Sequence, residues 1–291
     1  MKPATFDYHA PETADEAVHL LAELGDEAKF IAGGQSLMPL LVLRLAVFDH
    51  LVDLRRLTDL ADITAGTDTV RIGATTTHTM VGRSETIARS VPLLARATPL
   101  IGHFQIRNRG TIGGSLAHAD AAAEYPAVAL TLDADIETRS PRGLRTIPAA
   151  EFLQGMWTTA MEPDELVTAV TFPVWGGRCG SAIEEFTRRS GDFAVAGAAV
   201  ALRVDADERI ERCAVTVFGM GPTPIRARTV EKELLGRGAS TISAEEVGRN
   251  ATAHLDAVPS DGHGTAGYRR RVGSAMVARA WNRAVKEALD D

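Results

Sequence analysis

Apolar positions recur at helical spacing early in the chain: Ala17, Leu21 and Leu24 share one face, Thr13 followed by Glu16 forms a capping box, and Gly25 supplies a stop. This pattern predicts a helix, then a short strand over 28–32 that runs into Gly33-Gly34. Ser36 stands where a short apolar helix reaching Leu43 needs a cap, and 51–54 reads as another short strand. Further on, 70–74 reads as a strand, 77–82 as a helical turn, and 85–98 as a helix interrupted near Pro92. A polar, glycine-rich segment, 107–114, follows.

From 128 to 148 the pattern predicts a hairpin closed by Ser140-Pro141-Arg142-Gly143, and 165–172 reads as a strand ahead of Pro173. Trp175-Gly176-Gly177-Arg178 is a candidate linker. Beyond it, 198–204 and 209–218 alternate around a polar turn as an antiparallel pair, and helices are expected over 225–235, 244–255 and 265–289. Ser243 and Glu246 make a second capping box. The last helix carries Val277, Trp281, Val285 and Ala288 on one face and arginines elsewhere, the mark of a core-packed helix with a solvated basic side. Strands followed by helices within each part predict an α+β protein of two domains, 1–175 (sub-lobes about 1–55 and 56–175) and 176–291.

With 291 residues, 45% of them hydrophobic, the chain can bury a large core, which excludes disorder. Its 31 Lys+Arg and 38 Asp+Glu give a net charge of -7 spread along the sequence, so no electrostatic argument favours nucleic acid or an anionic membrane as partner. The longest uncharged apolar stretch, 193–202, has ten residues. A bilayer span needs roughly 20, and the N-terminal residues lack a signal-peptide core, so no membrane insertion and a cytoplasmic location are expected. Two cysteines, Cys179 and Cys213, are too few for an iron-sulfur cluster or a four-cysteine zinc site, and buried thiols are expected at both.

Two segments carry candidate chemistry. In Ile31-Ala32-Gly33-Gly34-Gln35-Ser36-Leu37 the glycines let the backbone turn tightly, and the start of a helix leaves N–H groups unpaired, a combination suited to an anion. In Arg107-Asn108-Arg109-Gly110-Thr111-Ile112-Gly113-Gly114-Ser115 a glycine pair again stands beside hydroxyls. Two anion-holding segments about 80 residues apart fit a diphosphate bridging two sub-lobes, although neither has P-loop or G-x-G-x-x-G spacing. Glycine pairs also serve as ordinary turn punctuation, and the residues alone leave both readings open. His118, Asp120 and Glu124 offer no second imidazole at metal-ligand spacing, so no metal site is expected. Gly219-Met220-Gly221-Pro222 suits a loop, and no nucleophile–base pair that would make a catalytic residue stands out.

Longer motifs narrow the choice. Ala32-Gly33-Gly34-Gln35-Ser36-Leu37-Met38-Pro39-Leu40, Ile72-Gly73-Ala74 with Thr77-His78, and Ile106 through Asp120 resemble the FAD-binding medium subunits of molybdenum hydroxylases, the xanthine dehydrogenase, aerobic carbon monoxide dehydrogenase and nicotine dehydrogenase family. The resemblance continues through Glu124-Tyr125-Pro126-Ala127, Arg188-Arg189-Ser190-Gly191-Asp192-Phe193-Ala194 and Tyr268-Arg269-Arg270. It implies a two-lobed FAD-binding domain of the vanillyl-alcohol-oxidase type, followed by a C-terminal domain with a small antiparallel sheet and helices. Residue by residue, it implies that Ala32, Gly33, Gly34, Gln35 and Ser36, with Leu37 following, and Thr111, Ile112, Gly113, Gly114 and Ser115 wrap the FAD pyrophosphate with backbone N–H groups. It also implies that Glu124 hydrogen-bonds the flavin nucleotide, that Ile101 lies against the ring system, that Phe193 covers a flavin face, and that Thr77 and His78 lie near the cofactor. His78 is equally a candidate for a packed histidine at a helix start.

Three departures are visible: Ala121 replaces a frequent proline, Phe193 an aromatic that is often tyrosine, and Val195 stands near a lysine of xanthine dehydrogenase. The activity implied is that of a flavoprotein subunit of an oxidoreductase. Noncovalent FAD would take electrons from a small [2Fe–2S] subunit and pass them to an external acceptor, with molybdopterin on a large subunit. The rival reading is a free-standing FAD-dependent oxidase or desaturase with its own small-molecule substrate.

Overall fold

A computed structural model describes residues 2–290. The chain begins with a small lobe: β1 (Asp7–His9), α1 (Ala14–Leu24), β2 (Ala28–Ile31), α2 (Leu37–Val42) and β3 (His50–Asp53). The three strands form a parallel sheet in the order β1-β3-β2. The Thr13 hydroxyl caps α1 by accepting from Glu16 N at 3.1 Å, and Gly25 ends it at φ 65°. Ala14, Ala17 and Val18 then pack on Val52, Leu54 and Leu57.

The second lobe is built on a five-stranded sheet ordered β4-β5-β10-β6-β7, with β4 (Ile63–Ala65), β5 (Thr69–Gly73), β6 (Asp135–Ser140), β7 (Gly143–Pro148) and β10 (Leu166–Pro173). Between β5 and β6 run six helices: α3 (His78–Arg83), α4 (Glu85–Ser90), α5 (Pro92–Ala97), α6 (Phe104–Arg107), α7 (Ile112–His118) and α8 (Glu124–Thr131). A short helix α9 (Ala149–Phe152) and the ribbon of β8 (Leu153–Gly155) and β9 (Thr158–Thr159) precede β10. The Ser140–Gly143 turn closes the hairpin as expected. The first residues of the expected segment are not part of the hairpin: 128–131 belongs to α8, whose eight residues are all buried.

The third sheet is antiparallel in the order β11-β12-β13-β14, with β11 (Arg178–Phe186), β12 (Ala196–Val204), β13 (Ile210–Phe218) and β14 (Ile225–Arg226). Helices α10 (Arg228–Leu234), α11 (Ala244–Ala253) and α12 (Ala266–Asp290) follow, with Trp281 of α12 in the core. Sequence reasoning missed β11, whose first residue it assigned to a linker, and it placed Ile225–Arg226 in a helix. Trp175 is likewise packed rather than loose, with the Arg212 guanidinium 3.8 Å from its ring centre. Cys213 is buried as expected, whereas Cys179 is only half-buried. The two faces of this sheet serve different cores: Ile183, Ala199, Ala201 and Phe218 join the core of the second lobe, while Ala182, Ala198 and Val200 face α11 and α12.

Candidate functional site: the two glycine segments

The chain leaves β2 at Ala32 and turns at Gly34, whose φ is 70°. Met38 N donates to Gly34 O at 3.0 Å and Gln35 Nε2 to Gly33 O at 2.8 Å. The backbone N–H groups of Gly33, Gly34, Gln35 and Ser36 find no acceptor among the described residues. Consecutive unpaired amides of this kind form an anion-holding nest. Ser36 differs from expectation: it is already helical, at φ −96° and ψ −41°, and its hydroxyl does not cap α2.

The second segment is organised differently from the sequence reading. Gly113 and Gly114 lie in the first turn of α7, where the Thr111 hydroxyl accepts from Gly114 N at 3.1 Å. Ile112 N donates to Thr76 O at 3.0 Å, Gly113 N to Ala74 O at 2.9 Å and Ser115 N to Thr111 O at 3.0 Å. Four amides that were expected to wrap a pyrophosphate are therefore engaged within the chain. The glycines have a packing role as well: a Cβ on Gly113 would lie 2.5 Å from Ala74 Cβ.

These two segments meet. A Cβ on Gly33 would lie 2.2 Å from the Arg109 carbonyl oxygen and 2.7 Å from Gly110 Cα, and one on Gly114 would lie 3.6 Å from Ala32 Cβ. The Arg109–Gly110 wall is fixed by Gly110 N donating to Ile106 O at 2.7 Å and by His78 N donating to Gly110 O at 2.9 Å. The two glycine segments therefore pack directly against each other.

Thr77 caps α3 by accepting from Met80 N at 3.2 Å, and it bridges Thr111. His78 is buried, with Nε2 at 3.1 Å from Thr111 O and its ring edge-on to Tyr125 at 4.9 Å. Burial, helped by the Arg107 charge and opposed by the bond to Thr111, brings its pKa down to about 4, so the neutral ring donates from Nε2. It is a packed histidine at a helix start that holds Thr111 in place. Ile101 is half-buried, and Arg107 donates to its carbonyl at 2.9 Å. Phe193 is 59% exposed at the end of the 187–193 turn, which folds back so that Gly191 lies against His103. Among the described residues no cluster of metal ligands exists; His118 stacks on Trp157 at 6.4 Å, and Asp120 accepts from Trp157 Nε1 at 3.3 Å.

Glu124 is buried in the first turn of α8, where burial, then the charges of Glu185 and Asp120, push its carboxyl up to about 8. The folded chain then holds a proton that the unfolded chain releases near 4.5, so stability should fall as pH rises from about 4.5 to about 8 and level off above. Urea unfolding of the flavin-free protein at pH 6 and pH 9 measures this, and Glu124→Gln should flatten the slope. Sequence reasoning missed the Arg109–Gly110 carbonyl wall and Glu185, neither of which has a local sequence signal.

Residues 4–175 match the family described as the FAD binding domain in molybdopterin dehydrogenase, and residues 181–284 match the CO dehydrogenase flavoprotein C-terminal domain. The chain belongs to the FAD-binding medium subunits of the molybdenum hydroxylases. It is 44% identical to the 6-hydroxypseudooxynicotine dehydrogenase complex subunit alpha of Paenarthrobacter nicotinovorans, covering 99% of this chain and 97% of that protein. To the carbon monoxide dehydrogenase medium chain of Hydrogenophaga pseudoflava it is 36% identical, with 98% of each covered. The solved carbon monoxide dehydrogenase of that organism, in a form lacking the Mo-pyranopterin moiety, superposes with a TM-score of 0.95 at 36% identity, over 99% of both chains. In this medium subunit the first glycine segment presents a run of amides with no acceptor among the described residues, and Gly33 lies where a Cβ has no room. No helix among the described residues is long and apolar enough to cross a membrane.

Proposed function

We propose that residues 32–37 hold the FAD diphosphate through the free amides of Gly33, Gly34, Gln35 and Ser36, the observation that carries this reading. Thr111 to Ser115 act mainly by shape: α7 presents Gly114 to the first loop, while Thr111 and the His78 beneath it keep that helix start in register. Glu124, Ile101 and Phe193 provide the nucleotide hydrogen bond and the apolar contacts to the ring. Residues 1–175 form the cofactor domain, with sub-lobes about 1–55 and 56–175, and 176–291 form a second domain whose sheet packs on its core. Bound here, FAD supplies the exchange between one-electron donors and a two-electron acceptor.

We further propose that the electrons come from a small [2Fe–2S] subunit and leave to an external acceptor, with substrate oxidised at molybdopterin on a large subunit, in the cytoplasm. Similarity over 97–99% of the length of proteins named as complex subunits or medium chains supports this over a free-standing oxidase or desaturase. The test is purification of the tagged chain with and without its co-expressed iron-sulfur and molybdopterin chains. Flavin reduction by a substrate should occur only in the complex. Bleaching of the lone chain by a small organic substrate would favour the free-standing enzyme.

FAD retention should be noncovalent, because no histidine or cysteine lies within either glycine segment. Acid precipitation should release all flavin absorbance into the supernatant, and colour left in the pellet would contradict the claim.

A further inference from the structure

Strand β11 carries a buried carboxyl, on the face toward the second lobe, that the family motifs do not identify. Side chains alternate along β11, so Ile183 and Glu185 share one face, and Ile183 is part of the core of the second lobe. Glu184 points the other way and is ion-paired with Arg283 of α12. Glu185 therefore faces the FAD-binding domain.

Its surroundings are defined by register. Glu185 pairs with Gly197, and Gly197 with Phe218, whose ring lies over the glycine and forms an apolar flank. That end of the sheet is tied to the turn before α8, because Gly219 N donates to Ala121 O at 2.8 Å. Glu124 opens α8, close enough to Glu185 for the two carboxyls to feel each other's charge.

The Glu185 Oε2 atom is buried and has no hydrogen-bond partner. Burial raises its carboxyl to about 7. An orphaned buried carboxyl oxygen is costly to a fold and calls for a ligand donor or a functional reason. No cation satisfies it: Glu185 forms no ion pair among the described residues, and burial alone accounts for its raised carboxyl.

We propose that Glu185 is a flavin-binding residue contributed by the C-terminal domain, its free carboxyl oxygen accepting a hydrogen bond from a hydroxyl or N–H donor of the bound FAD opposite Glu124. The inference rests on the flavin reading above and deepens it. The cofactor domain alone then makes an incomplete site, and closure by the second domain completes the hydrogen bonding.

The test compares wild type, Glu185→Ala and Glu185→Gln, all as the full chain stripped of flavin. FAD affinity is measured by titration of flavin fluorescence, and stability by thermal melting of the flavin-free proteins. Glu185→Ala should bind FAD about tenfold more weakly, the loss of one hydrogen bond. Flavin-free Glu185→Ala should melt no lower than wild type, since an unpaired buried carboxyl has been removed. Glu185→Gln should return FAD affinity to within about threefold, because the amide oxygen still accepts. A purely structural role predicts the opposite pairing, a lower melting temperature with unchanged affinity in both variants. Wild-type affinity in Glu185→Ala, or a lowered melting temperature in it, would overturn the inference while leaving the flavin reading intact. Failure of the wild-type chain to bind FAD at all would overturn both.

Discussion

Gly33→Ala should strip the flavin from the protein. The added Cβ would sit 2.2 Å from the Arg109 carbonyl oxygen and 2.7 Å from Gly110 Cα, and both are backbone atoms that no rotamer change can move. Hydrogen bonds from Gly110 to Ile106 and from His78 to Gly110 hold that wall in place, so the first loop must shift instead. Overpacking of this kind costs about 1–3 kcal/mol in stability. The loss of binding should be larger, because displacing the loop moves four diphosphate donors at once. We expect at least about a hundredfold weaker FAD affinity, about 2.7 kcal/mol, read by fluorescence titration. Gly25→Ala is the control: its φ of 65° disfavours a side chain, but nothing lies within 4 Å, so it should lower stability and leave FAD bound. Full flavin occupancy in Gly33→Ala would refute the proposed diphosphate role of the first loop.

Arg226→Ala should produce the largest loss of fold stability. Its guanidinium is 7% exposed, contacts Glu231 at 2.6 and 2.7 Å, and reaches across to Leu130 O at 3.0 Å and Asp133 at 2.9 Å. It thereby ties β14 and α10 to the C-terminal end of α8. Glu231 is itself buried, and its other role is to accept from Val215 N at 2.8 Å. Removing the cation strands a buried carboxylate, a change that costs about 3–5 kcal/mol. Urea denaturation should show this as a lowered midpoint with an unchanged slope. Replacing both partners, as Arg226→Met with Glu231→Leu, should be far milder, because the cost comes from the uncompensated charge rather than from the missing bond. A double variant as unstable as the single would show that packing, not charge, sets the effect.

Local rules made a good part of this protein legible. The Thr13 capping box, the Ser140–Gly143 turn and the Trp281 face of α12 are each settled within a few residues, so their sequence signals translated directly into structure. Strand β11 was not legible, because Gly180 and Ser181 break its pattern near the start. Gly180 is a packing device: a Cβ there would lie 1.9 Å from Ala284 O, so the glycine admits the backbone of α12 against the strand. Helix α8 was misread for a related reason, since a segment buried on every side has no amphipathic period to detect.

The same division runs through the two glycine segments. The residues of 31–37 announce a tight turn with free amides by their own composition, and the turn forms with local bonds. The second glycine pair carries the same composition, yet its amides are taken by Thr76, Ala74 and Thr111, two of which belong to the end of a different strand and the turn beyond it. No local pattern distinguishes those cases. Which amides stay free, which glycine faces a carbonyl wall, and whether Glu185 faces the second lobe or the α12 side depend on contacts between segments tens of residues apart. Those contacts are fixed only when the sheets pack and each buried polar group must find a partner or remain without one.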